Sequence, residues 1–185
     1  MAHRVCPWWM GYFLISPLRR WMQNPMEILR PHVREGMWVL EPGPGMGFFT
    51  IPLAQLVGAS GRVIAVDVQP KMIAALMRRA VRAGVASRIA ARVTAGDTMG
   101  VDDLAGKIDF TLAFAMVHEL PDVGRFFMEV SRASKPNAQL LLAEPRGHVN
   151  EASFAAELEA AAASQLEVTA RPAIPRSLAA MLTKK

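Results

Sequence analysis

Glu41-Pro-Gly-Pro-Gly-Met-Gly47 sets an acidic side chain just ahead of glycines at 43, 45 and 47. The apolar run Met37 to Leu40 before it reads as a buried strand, and the mostly apolar segment after it can form a helix. A strand passing through a glycine-rich turn into a helix brings backbone N–H groups close to a ligand. A side chain larger than hydrogen would hold that ligand off. The spacing excludes two phosphate-binding signatures. A dinucleotide fingerprint needs its third glycine at 48, where the chain has Phe48, and the Gly-Lys-Ser/Thr ending of a P-loop is absent. Asp67 closes a second apolar run, Gly96-Asp97 closes a third, and His118-Glu119 follow a fourth. In an open parallel sheet, ligands bind beyond the carboxyl ends of the strands, where each of these residues is expected.

These residues require a particular set of elements to position them. Asn24 and Pro25 read as the cap and first residue of a helix carrying Met26, Ile28 and Leu29, stopped near Pro31. The first strand is 37–41, and the helix after the glycines runs to about Val57. Pro52 is tolerable in that helix only if it starts late or bends. Strand 62–67 leads to a helix from Pro70, with Met72, Ile73, Leu76, Met77, Ala80 and Val81 at the spacing of one apolar face. Arg88 to Ala95 alternates, with Ile89, Ala91 and Val93 on one side, as an edge strand does. Ile108 to Val117 is the fourth strand. Asp122 caps a helix carrying Val123, Phe126, Phe127 and Val130, and a turn at Lys135-Pro136-Asn137 leads into strand 139–143. An alanine-rich helix over 150–165 and two strands, about 166–173 and 177–183, complete the order. Such alternation implies a mostly parallel α/β sheet with helices on both faces. The closing pair of strands has no helix between them and must be a hairpin, so the last strand runs antiparallel.

Composition narrows the classes. A chain of 185 residues with 52% hydrophobic and 20% charged residues is one domain with a sizeable core. The single cysteine, Cys6, excludes an intrachain disulfide and a cysteine-based zinc site, and points with the lack of a signal peptide to the cytoplasm. Four histidines (3, 32, 118 and 148) show no metal-ligand spacing. The net charge of +5 and the run Arg78, Arg79, Arg82, Arg88, Arg92 raise the question of nucleic acid. No aromatic residue is interleaved among those arginines, which argues for a solvated helix face instead. Val5 to Leu18 is almost wholly apolar and carries Pro7 and Pro17. Fourteen residues are too few to span a bilayer. Residues 1–23 are therefore expected to form a lid over an apolar pocket, the alternative being peripheral contact with a membrane surface.

The pattern acidic-x-Gly-x-Gly-x-Gly resembles the first motif of S-adenosylmethionine-dependent methyltransferases of the Rossmann-like class, small-molecule type. The seven strands with an antiparallel seventh also match that fold, and the resemblance covers about residues 24–185. It implies S-adenosylmethionine as cofactor. Glu41 would then face the ammonium of the methionine part, with Gly43, Pro44, Gly45 and Gly47 forming the turn around it. Pro42 and Pro44 remove two N–H donors from that loop. Asp67 would take the two ribose hydroxyls with Val68 beside it. Asp97 would accept the adenine amino group, and Gly96 and the Thr98 backbone would border the ring. Ala115 and Met116 would offer backbone contacts to the methionine part. No metal is implied.

The residues after the fourth strand, Met116-Val-His-Glu-Leu120, differ from the Asn/Asp-Pro-Pro-aromatic signature of enzymes that methylate base amines or glutamine. Pyrimidine-C5 methylation needs a cysteine nucleophile, and Cys6 lies far from any such motif. Arsenite chemistry needs several cysteines. The expected acceptor is therefore a small molecule, apolar or aromatic, with Trp8, Trp9, Tyr12 and Phe13 of the lid as candidate packing partners. His118 is the candidate base, against a structural role as a histidine that shapes its loop. An RNA methyltransferase and a non-catalytic binding module of the same fold are the competing readings. Oligomeric state is not readable from the sequence.

Overall fold

A computed structural model describes residues 23–185. The lid expected over residues 1–23, with Trp8, Trp9, Tyr12 and Phe13, lies outside the described residues apart from Gln23. Seven strands form one sheet in the order β3-β2-β1-β4-β5-β7-β6. The chain divides into two compact units, with the boundary between Gly96 and Asp97.

In the first unit, Asn24 caps α1 (Pro25–Leu29) by accepting from the Met26 N–H at 3.1 Å. β1 (Trp38–Pro42) is followed by α2 (Thr50–Leu56), β2 (Arg62–Asp67), α3 (Pro70–Arg82) and β3 (Ile89–Val93). β1 pairs with β2, and β2 with β3, all parallel. Pro52 is the third residue of α2, where a helix has no internal use for the N–H that proline lacks. β2 is buried from Val63 to Asp67, so it reads as a continuous apolar run. α3 buries Met72, Ala75, Leu76 and Ala80, but Val81 is 67% exposed. The apolar stripe predicted there drifts off the core within the last turn. β3 is the edge strand, and it is shorter than expected. Val93 at its end is exposed, so the inward alternation holds firmly only at Ile89.

Two of the clustered arginines hold this unit together. Arg79 donates from Nη1 to the Met46 carbonyl of the glycine turn, and Arg88 donates to Ala54 O at 3.0 Å, near the end of α2. Arg78 and Arg82 are exposed.

In the second unit, β4 (Ile108–Phe114), α4 (Val123–Ala133), β5 (Ser134–Pro145), α5 (Glu151–Ala163), β6 (Leu166–Ala170) and β7 (Ser177–Lys184) follow in order. β4 and β5 are parallel, while β7 pairs antiparallel with both β5 and β6, as the hairpin argument requires. Phe110, Phe127 and Phe154 are fully buried here. Asp122 caps α4 and Asn150 caps α5, each accepting an N–H three residues on at 2.8 Å.

Three boundaries differ from expectation, one being β6, which ends at Ala170 and not near residue 173. β5 begins directly after α4, because Lys135-Pro136-Asn137 is absorbed as an irregularity in the β4–β5 register, with Asn137 at φ 64°. β4 ends at Phe114 and does not reach Val117. Ala115 still donates to Ala143 O at 2.7 Å, but its φ is 56° and the chain then leaves the sheet. Val117–Glu119 forms a single 3-10 turn.

Candidate functional site

The first unit gathers Glu41, the glycine turn, Asp67, Val68 and Gly96. Paired strands explain the proximity: Glu41 sits opposite Ala65 in the register, and Gly43 donates to Val66 O at 2.9 Å. Gly47 has a tighter requirement than Gly45. Its φ is 85°, and a Cβ there would collide with Leu76 Cδ1 of α3. Gly45, at φ 54°, instead has open space around the missing Cβ. Pro44 contributes its carbonyl, which accepts from Gly47 N at 2.9 Å. Met46 turns inward against Met72 and Ala75.

Glu41 is 4% exposed, and its Oε2 is buried without a hydrogen-bond partner. Burial pushes its carboxyl up to about 8, with a smaller upward contribution from Asp67. Thr50 lies close enough to ease the charge a little, yet its hydroxyl and Glu41 Oε2 fall outside hydrogen-bonding geometry. A buried acid without a donor is costly unless something arrives to meet it. A cationic or N–H-bearing ligand group at the glycine turn is what this side chain fits.

Asp67, 9% exposed, closes β2. Its Oδ1 accepts from Gln69 N at 2.8 Å, which leads the chain into α3. This is the helix-entry role of an aspartate placed ahead of Pro70. The neighbouring Val68 is 38% exposed, and Gly96 (φ 94°) would bring a Cβ within 3.4 Å of Val68 Cγ1. Glycine at 96 thus leaves the face of Val68 clear beside the carboxylate.

In the second unit, Asp97 is exposed, and Thr98 Oγ1 accepts from Gly100 N at 3.1 Å. Ala115, Met116 and His118 are organised by a residue that sequence reasoning missed, Glu144. Fully buried near the end of β5, it accepts from Met116 N at 3.2 Å and Val117 N at 2.8 Å through Oε1. Its Oε2 meets His118 Nδ1 in a short contact. These bonds draw the chain out of β4 and account for the left-handed Ala115, a conformation costing about 1–2 kcal/mol for a residue with a Cβ. The hydrogen bond to Glu144 raises the His118 pKa, against the opposing effect of burial. Glu157 of α5 is 7% exposed with Oε2 unpartnered, and burial plus the Glu144 charge push it up to about 7. Glu144 ends an apolar run as Glu41 and Asp67 do, a signal that could have found it. Nothing in the alanine-rich 151–163 segment marks Glu157.

Among the described residues no group of three or more His, Cys, Asp or Glu side chains could hold a metal ion. No described helix is long and apolar enough to cross a membrane.

The methyltransferase domain family matches residues 39–137. The chain belongs to that family, and its fold is that of the S-adenosylmethionine-dependent methyltransferases. The similar solved structures include a SAM dependent methyltransferase from Aquifex aeolicus, with TM-score 0.86, 22% identity, and 98% of this chain and 100% of that one covered. A protein-L-isoaspartate O-methyltransferase from Korarchaeum cryptofilum is 28% identical over 66% of this chain and 64% of its own length. An arsenite methyltransferase from Aquipseudomonas alcaligenes is 29% identical over 63% of this chain and 35% of its own. The chain thus spans less than two thirds of the length of either relative.

Proposed function

We propose that this chain binds S-adenosylmethionine and transfers its methyl group to a small acceptor. The observation that carries the cofactor reading is the buried, partnerless Glu41 carboxyl beside the glycine turn, with the Asp67 carboxylate ending the adjacent strand. Glu41 fits the ammonium of the methionine part, and Asp67 is the candidate for the ribose hydroxyls. Val68 and Gly96 offer a cleared apolar face, and Asp97 and Thr98 are the adenine-side candidates. Ala115 and Met116 are candidates for backbone contacts to the methionine part. When bound, the cofactor supplies an electrophilic methyl on a sulfonium; the protein aligns the acceptor and excludes water.

The small-acceptor reading rests on Met116-Val-His-Glu-Leu120, which lacks the signature of base-amine and glutamine methylation, and on the lone cysteine, which does not suit arsenite. The relatives' acceptors, protein and arsenite, make this a point to test directly. Two arginines of the basic run already serve the fold, which weakens the case for RNA.

The test is methyl incorporation from labelled S-adenosylmethionine with three separate cell fractions: small molecules, RNA and protein. Label is expected in the small-molecule fraction, with release of S-adenosylhomocysteine. Label in protein or RNA would overturn the acceptor assignment while leaving the cofactor assignment intact.

A further inference from the structure

The geometry around Glu144 fixes more than a loop. Oε1 accepts two backbone N–H groups, and Oε2 is the oxygen that meets the ring. A glutamate in its carboxylate form only accepts, and the hydrogen of its contact with His118 then sits on Nδ1. The neutral ring then carries its lone pair on Nε2. That nitrogen has no hydrogen-bond partner among the described residues, and the side chain is 18% exposed. The charged and titratable groups facing the imidazole come from four places. Glu119 lies on the ring's own turn, Glu144 on β5, His148 on the turn after β5 and Glu157 on α5. The His148 ring packs edge-on, with centroids 5.5 Å apart, and restrains rotation of His118.

We propose that Glu144 is a positioning residue that holds His118 in its Nδ1–H form, so that Nε2 takes the proton from a methyl acceptor whose nucleophilic atom is an O–H or N–H. This rests on the methyl-transfer reading above. In the step, the acceptor heteroatom bonds to the methyl carbon while the carbon–sulfur bond breaks. Its electron pair goes to sulfur, leaving a neutral thioether. The acceptor's proton passes to Nε2, and the resulting imidazolium is stabilised by the Glu144 carboxylate. Acceptors whose nucleophilic atom carries no hydrogen have no use for this arrangement, so the dyad suits hydroxyl, phenol or N–H-bearing amine acceptors.

The test is nitrogen-15 NMR of the His118 ring in the full chain. Wild type should show a protonated Nδ1 and an unprotonated Nε2 at high pH, with a titration midpoint above that of an ordinary histidine. In Glu144→Gln the side-chain carbonyl can still accept from Met116 and Val117, but its amide would donate to Nδ1. The tautomer should reverse, and the midpoint should fall below that of wild type. Glu157→Gln should lower the midpoint without reversing the tautomer. A wild-type ring protonated at Nε2 would overturn the proposal without reference to any variant. So would a folded Glu144→Gln protein with unchanged tautomer and midpoint. Calorimetry with S-adenosylmethionine on the same wild-type sample separates the two readings. Absent binding defeats the methyl-transfer reading and leaves the tautomer result standing, whereas binding with the wrong tautomer defeats only the dyad.

Discussion

Asp67→Ala is expected to lower S-adenosylmethionine affinity tenfold or more while the domain stays folded. The carboxylate would accept from two ribose hydroxyls, and hydrogen bonds to a charged group are worth about 1.5–3 kcal/mol each. Ala also removes the acceptor of Gln69 N at the entry to α3, a loss of about 1 kcal/mol to stability. Asp67→Asn separates the two effects. Its side-chain oxygen can still accept from Gln69 N, but its amide nitrogen cannot accept from a hydroxyl, so affinity should fall with little change in stability. Dissociation constants from calorimetry, read beside denaturant midpoints, check both. An unchanged dissociation constant in the Ala variant would place the ribose elsewhere.

Glu41 carries the second large effect, a proton released when cofactor binds. With its carboxyl raised to about 8 by burial, the free protein holds a proton there at neutral pH. A cofactor ammonium at hydrogen-bonding distance favours the carboxylate and drives that proton off. Binding heats measured in buffers of different ionisation enthalpy should therefore report release approaching about one proton per site near pH 7, fading above about pH 9. Glu41→Gln should abolish the release. The sign for stability follows from the same shift. Between the ordinary value of 4.5 and about 8 the folded chain keeps a proton that the unfolded chain gives up. The cofactor-free protein thus loses stability as pH rises across that window, and Glu41→Gln should flatten the loss. Buffer-independent heats in wild type would contradict the placement of the ammonium.

Much of this arrangement was legible because it depends on local rules. The strand–glycine–helix passage at 37–56, the acid closing β2, and the caps Asn24 and Asp122 all follow from residue type and spacing. The antiparallel β7 followed from connectivity, since no helix separates it from β6. What escaped were effects carried by partners distant in sequence. The end of β4 is set by Glu144, twenty-seven residues from Val117, which accepts N–H groups that a continuing strand would have used otherwise. The roles of Arg79 and Arg88 depend on carbonyls at Met46 and Ala54, so a run that reads as a solvated face is partly a set of internal ties. Val81 and Val93 kept the expected period but lie where the helix and edge strand leave the core. Glu157 had no sequence signal, because a carboxylate on an alanine-rich helix is ordinarily at the surface.

Calorimetry with S-adenosylmethionine and, separately, NAD tests the central claim most directly. The glycine turn with Phe48 where a dinucleotide fingerprint needs glycine, and the partnerless Glu41 beside it, suit a ligand with an ammonium rather than a pyrophosphate. Saturable binding of S-adenosylmethionine, weakened by Asp67→Ala, with no comparable binding of NAD, is the result this account predicts. Tighter binding of NAD than of S-adenosylmethionine would contradict it.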